Sequence, residues 1–266
     1  MLAVVGFAQV LGCGGDDPNP PDEPPRVLLE RALAMPVESG EVEIDAEILL
    51  EDSSLLDEPA RLSFSGPFEL RGAAVPRFDL DFDASVSGYG LDGELVSDGD
   101  DGYVVFFGEN YRLGTDHIDN ADRRVSEGVA GGLTVDPASW ISKPRYDGTE
   151  EVGGEHCHKI EGALVAERLA ADLAAAGSAL GLSSPTAVAE RLSDGTVTFL
   201  VAADGEAPCG FGIDAELTGP GELDLDLRLS DLGEPQEIER PEGGGFQAVE
   251  ELLARFERYA GVTIRF

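Results

Sequence analysis

The sequence predicts an α+β fold: a large curved antiparallel sheet, a half-barrel of about ten strands, with helices covering its concave face. Three observations predict it. Apolar and acidic residues alternate with a period of two in one segment after another. Turn signals such as Ser87-Gly88, Asp98-Gly99, Asp194-Gly195 and Asp204-Gly205 separate those segments, as in an antiparallel meander. A helix-patterned stretch, residues 163–193, interrupts the series with three strands still to come, so it can fold back as the cover.

The elements follow in chain order. Residues 26–35 (RVLLERALAM) open the domain as a helix. In 41–50, Val42, Ile44, Ala46 and Ile48 interleave with Glu41, Glu43, Asp45 and Glu47, the mark of a half-buried strand. Leu62, Phe64 and Phe68 continue the alternation in 61–70. Phe78, Leu80, Phe82, Ala84 and Val86 alternate with Asp79, Asp81 and Asp83 in 77–87. Shorter strands are expected at 90–97, 102–107 and 110–113, and a longer one at 151–161. The Ala/Leu-rich residues 163–176 form a helix. Ser184-Pro185, an N-cap followed by proline at the first helical position, starts another. Strands at 195–202, 210–218 and 222–230 complete the sheet, the last with Leu223, Leu225, Leu227 and Leu229 against Asp224 and Asp226. A final helix, 246–259, carries Phe246, Val249, Leu252, Leu253 and Phe256 at helical spacing.

Charge excludes one class of function. The 266 residues hold 18 Lys+Arg against 53 Asp+Glu, a net charge of -35. No basic stripe exists to release counterions from a phosphate backbone, so no nucleic acid is expected as a partner. A hydrophobic content of 42% is enough for a core, and this excludes wholesale disorder.

The first 25 residues read as separate from the fold. Residues 1–12 are apolar apart from Gln9, and after Cys13 the tract GGDDPNPPDEPP has no hydrophobic residue. An apolar run of this length followed by small residues is an export signal, too short to span a bilayer as a helix. Val10-Leu11-Gly12-Cys13 resembles the lipobox of bacterial lipoproteins, in which the signal is cut before the cysteine and the thiol then carries diacylglycerol. Leu11 stands where Ala or Ser is more usual, and an upstream start would supply the missing basic residues. The expected organisation is a signal peptide at 1–12, a lipidated Cys13 with a disordered tether at 13–25, and one domain at 26–266. The expected place is the outer face of the cytoplasmic membrane, with membrane lipid as partner through the N-terminal acyl anchor. The leader carries four acids and no bases, so the remaining chain keeps a net -31 and the acidity belongs to the fold.

Export leaves Cys157 and Cys209, which would most simply form one disulfide. Strand parity is in tension with the pairing. Cys157 falls opposite the face of Val152 and Ile160, whereas Cys209 shares parity with Phe211 and Ile213. Cys209 follows Pro208 in a turn, where parity need not hold.

No catalytic constellation is legible. The chain lacks a Gly-x-Ser-x-Gly elbow, a P-loop and a dinucleotide fingerprint, and carboxylate pairs are too numerous for any one to signal a glycosidase. His156-Cys157-His158 places two histidines on one strand face, without a third ligand at fixed spacing. Asp92-Gly93-Glu94, Asp98-Gly99-Asp100-Asp101 and Glu109-Asn110 offer oxygen ligands suited to calcium but match no EF-hand, and hairpin chemistry accounts for the same residues. No metal, cofactor or catalysis is expected.

The order of elements is itself informative. A lipobox-like Val10-Leu11-Gly12-Cys13, a tether, an opening helix, a strand from Ser39-Gly40, Tyr103-Val104-Val105-Phe106 with Tyr111 after it, Asp136-Pro137-Ala138-Ser139-Trp140, Gly148 to Gly162, paired helices and three last strands resemble the LppX/LprG-type lipoproteins, LolA/LolB-like half-barrels. The resemblance spans roughly residues 28–232 and implies an apolar cavity between sheet and helices that binds or carries acyl chains of lipids or lipoglycans at the envelope, in a monomer. It brings no catalytic residues and no local binding motif. Strand parity then names the lining as Ile44, Ile48, Phe64, Phe78, Leu80 and Phe82, facing Leu169 and Leu173 on the helices. The rival is a structural or protein-interaction lipoprotein whose core is filled by the same side chains.

Overall fold

The computed structural model describes residues 21–50, 58–70, 76–86, 89–114, 135–179, 191–241 and 245–260. The leader with Cys13, and the helix expected from Ser184-Pro185, lie outside the described residues. The chain forms α1 (Pro25–Leu33), β1 (Ser39–Leu50), β2 (Ala60–Glu69), β3 (Arg77–Val86), β4 (Tyr89–Ser97), β5 (Gly102–Phe106), β6 (Glu109–Arg112), a 3-10 turn (Pro137–Trp140), β7 (Ile141–Val152), β8 (Glu155–Leu164), α2 (Ala166–Ala179), β9 (Leu192–Ala202), β10 (Pro208–Leu217), β11 (Gly221–Ser230), β12 (Gln247–Ala248) and α3 (Val249–Ala260). All described strands belong to one open sheet of 12, in the order β12-β6-β5-β4-β3-β2-β1-β11-β10-β9-β8-β7. Every ladder is antiparallel except the two-residue pairing of β12 with β6.

Register turns the alternation into two faces. One row of paired residues runs Tyr146, Ile160, Phe199, Phe211, Leu227, Ile44, Phe64, Phe82, Gly93, Phe106 across ten strands. One residue along, the row on the other face reads Glu161, Thr198, Gly212, Asp226, Asp45, Ser63, Asp83, Asp92. A slip of one residue would exchange oil for acid at every position, so the pattern itself holds the register.

Helices cover the apolar face at its two ends. Leu28, Leu29 and Ala32 of α1, Trp140 and Leu169 of α2 pack with Ile160, Val197, Phe199, Ile213 and Ala215 into the main core. Arg26 fastens α1 by donating to the carbonyls of Ala138 at 2.5 Å and Ile141 at 2.7 Å. Trp140 Nε1 donates to Asp172 on α2 at 2.8 Å. At the other end Leu252 of α3 closes a smaller cluster with Phe106 and Tyr111, against Phe82, Leu91 and Val104. Gly93 makes that cluster possible: a Cβ there would stand 2.7 Å from the Phe82 ring, which stacks toward Phe106 at 6.3 Å.

Several expectations are corrected. β7 is absent from the expected strands; it contains Pro144, Lys143, Asp147 and Gly148. They are the means by which an edge strand resists pairing with another chain: β7 is broken by register shifts at Ser142/Arg145 and Tyr146/Thr149, with Lys143 at a φ of 52°. The expected strand 151–161 is β8 from Glu155 onward, but its first residues belong to the end of β7 and the turn at Gly153-Gly154. Residues 163 and 164 extend β8, so α2 starts later than the Ala/Leu composition suggests. Phe107, expected in a strand, turns the β5–β6 hairpin at a φ of 52° and is 81% exposed.

Cys157 and Cys209 form a disulfide, with Cα atoms 6.5 Å apart. The parity conflict is resolved by a bulge. Pro208 pairs with Val201 and Gly210 with Leu200, so Cys209 is an extra residue free of the alternation. It joins Cys157, Val152, Leu200 and Ala202 in a small buried cluster, on the face that elsewhere carries acid. The bond thus links β8 to β10 across β9. Replacing Cys209 with Ala removes the closure of a loop with a sequence separation of 52, and a loss of about 4 kcal/mol is expected. Urea denaturation checks this, and an unchanged midpoint would show that the bond contributes nothing.

Candidate functional site

Between the two helical covers the apolar face is left half open. Val42, Ile44, Ala46, Phe64, Phe68, Phe78, Leu80, Leu227 and Leu229 are all half-buried, and Leu62 is 39% exposed. They sit on β11, β1, β2 and β3, in the middle of the sheet, where successive strands bring them side by side: Leu227 beside Ile44, Ile44 beside Phe64, Phe64 beside Phe82. A contiguous apolar surface left in contact with water is the usual mark of a binding surface.

The residues that parity named divide into three groups. Ile44, Phe64, Phe78 and Leu80 lie on the half-open strip. Ile48 and Phe82 lie at its borders, packed against the main core and the α3 cluster respectively. Leu169 is buried within the main core, and Leu173 is 37% exposed on α2. Leu227, Leu229 and Leu62 belong to the strip as well. Leu223 to Leu229 alternate as clearly as β3 does, but only the β1–β11 pairing shows that they adjoin Ile44.

The opposite face is a field of carboxylates. Register sets Asp45 opposite Asp226, Glu47 opposite Asp224, Asp224 opposite Asp214, Asp81 opposite Glu94 and Asp83 opposite Asp92. Like charges placed directly across a ladder repel. Partial burial, with Asp79 and Asp81 nearby, pushes the Glu94 carboxyl up to about 7 from 4.5. Burial, Asp226, Asp214 and Glu47 likewise raise Asp224. A cleft of about 470 Å³ on this side is lined by Asp45, Glu47, Asp83, Glu222, Asp224 and Arg61 among others.

The acidic turns have other tasks. Asp98 accepts from the backbone N–H groups of Asp100 and Asp101 at 2.9 and 2.8 Å and pairs with Arg240. Burial pushes its carboxyl up, but these donors outweigh that effect and hold it below its ordinary value. Asp101, nearly fully buried, pairs with Arg112 and accepts from Gly102 N–H at 2.9 Å and Gly114 N–H at 3.1 Å. The Tyr111 hydroxyl donates to Glu109 at 2.7 Å, and with Arg255 it lowers that carboxyl. Asp92-Gly93-Glu94 lies inside β4, not in a loop. His158 is buried with its ring edge-on to Tyr146, whereas His156 is exposed. Among the described residues no group of three or more His, Cys, Asp or Glu is arranged to hold a metal ion, and no helix is long and apolar enough to cross a membrane.

No protein-family model and no curated protein matches the chain. Among solved structures it is similar to lipoprotein LppX of Mycobacterium tuberculosis, at 18% identity over 80% of this chain and 97% of that one, with a TM-score of 0.45. It is also similar to LprF of Mycobacterium bovis, at 14% identity over 82% and 97%, with a TM-score of 0.48. A LolA superfamily protein of Nitrosomonas europaea is similar at 14% identity over 78% and 94%, with a TM-score of 0.22. The group that the sequence resembles is thus represented among these structures.

The opposed carboxylates make stability depend on pH with a definite sign. Folded Glu94 keeps its proton up to about pH 7, while the unfolded chain releases it near 4.5. Between those values the folded state binds more protons, so stability falls as pH rises through the window, and Asp224 acts in the same direction. Thermal melts should therefore show a rising Tm as pH is lowered from above 7 toward 5, with a shallower slope in Glu94→Gln. A Tm that drops over that range, or an unchanged slope in the variant, would contradict this assignment.

Proposed function

We propose that the protein is an exported, lipid-anchored lipoprotein that binds or carries the acyl chains of lipids at the cell envelope, without catalysis. The observation that carries this reading is the half-open apolar strip between two helical covers. A packed core would bury Leu62, Phe64 and Leu80 as fully as Phe199 and Ile213, which are 1% exposed. Among the described residues the covered clusters end at Ile48 and Leu50 of β1 on one side and at Phe82 of β3 on the other. An acyl chain laid along the strip completes the burial, and each methylene removed from water contributes about 0.8 kcal/mol, so a long chain binds without a specific polar contact. Cys13 supplies the anchor in this reading, and the Pro- and Asp-rich tract after it keeps the strip within reach of the bilayer.

Two measurements test the proposal separately. Native mass spectrometry of protein extracted from membranes should show a co-purifying lipid, reduced in Leu80→Glu, which sets a charge in the middle of the strip. Bare protein in every preparation would remove the carrier role. Cys13→Ala should shift the protein from the membrane fraction to the soluble fraction, and unchanged fractionation would remove the anchor.

A further inference from the structure

Resting on the carrier reading of the strip, we propose that its cargo is a lipid with an uncharged head group and that anionic lipids are selected against. The apolar-face positions of β11, β1, β2 and β3 contain no Lys, Arg or His, and no hydroxyl or amide side chain that could solvate an anion. The described cations adjacent to the strip are already neutralised. Arg61, next to Leu62, is held by Glu47 at 2.7 Å. Arg77, next to Phe78, binds Glu69 at 2.5 Å and the Ile238 carbonyl at 3.0 Å. Arg228, between Leu227 and Leu229, is clamped by Asp226 at 2.6 Å and Glu150 at 2.9 Å. Arg255, above the α3 cluster, is taken by Glu109. Of the Lys and Arg residues whose side chains are described, only Lys143 and Arg168 are not bonded to a carboxylate or carbonyl. They lie on edge strand β7 and on the exposed side of α2, away from β1–β3.

Among the described residues a phosphate head group drawn to this strip would meet no unpaired cation. It would forfeit its hydration without compensation, or have to displace a carboxylate from an existing ion pair. The surrounding field of a chain with net charge -35 opposes its approach as well, most strongly at low ionic strength. An uncharged glyceride head incurs neither penalty. Its chains take the strip, and its ester oxygens stay at the water border.

The test uses full-length, delipidated protein loaded with a fluorescent diacylglycerol. The competitors are unlabelled diacylglycerol and phosphatidylglycerol with the same two acyl chains. Diacylglycerol should displace the probe, and phosphatidylglycerol should be weaker by roughly tenfold or more at low salt, with a smaller gap at high salt. Leu62→Lys, at a position exposed enough to accept the change, should narrow the ratio of diacylglycerol to phosphatidylglycerol binding several-fold. Equal or tighter binding of phosphatidylglycerol to the unmodified protein, or no response to Leu62→Lys, would overturn the head-group selectivity while the carrier reading stands. Failure of the fluorescent diacylglycerol and both competitors to bind at all would overturn the carrier reading itself.

Discussion

Twelve strands hydrogen-bonded in a row present an apolar face wider than a few short helices can cover, and the rest of the structure answers to that mismatch. The sheet must keep this face away from water, yet among the described residues the cluster of α1, α2 and the 3-10 turn extends from β7 only to Ile48 and Leu223 at its border, and that of α3 only to Phe82. What remains between them is the strip on β11, β1, β2 and β3. Elsewhere, full burial of large side chains such as Phe199 and Leu29 gives a packed end that anchors the fold. One end is a core, and the middle is a surface in need of a covering.

The acid on the opposite face belongs to the same design. An open sheet with two apolar faces would associate with its copies, and carboxylates at every second position prevent that through mutual repulsion. The arrangement has an internal cost, since register sets carboxylate against carboxylate across five pairs of positions named above. Arginines relieve part of it, with Arg61 on Glu47 and Arg228 on both Asp226 and Glu150. Using the few cations in this way also leaves no unpaired Lys or Arg beside the strip among the described residues.

Much of the fold was legible because period-two segregation of acid and oil is the strongest signal a strand can give. β1, β3 and β11 were readable to within two residues for that reason. β7 was not, because an edge strand protects itself with Pro144, Lys143 and bulges, the residues by which loops are recognised. The path after β11 was equally hidden. Residues 231–246 have no periodicity, and the described ones are held by scattered contacts, such as Arg240 on Asp98, Arg77 on the Ile238 carbonyl and the Phe246 ring near Tyr103 at 5.1 Å. At the candidate site parity grouped Ile44, Phe64, Phe78 and Leu80 on one face, and all four lie on the strip. It could not tell strip from core, because Leu169 and Leu80 look alike until the reach of each helix is known. Cys209 escaped parity through one extra residue, which only the pairing of its neighbours reveals.

The order of strands has a further implication for how the molecule is made. β1 to β6 lie beside one another in chain order, and so do β7 to β11 with α2 inserted between β8 and β9, but the two groups pair only where β1 meets β11. That ladder joins the first strand to one of the last, so it cannot form until nearly the whole chain has emerged, and such distant closure is slow. Until then each half-sheet carries a raw edge beside the strip, and Leu227 and Ile44 face water. The joint between the halves and the apolar strip are therefore the same place. A chain delayed between emergence and closure is most exposed to aggregation at the surface that stays half open once the fold is complete.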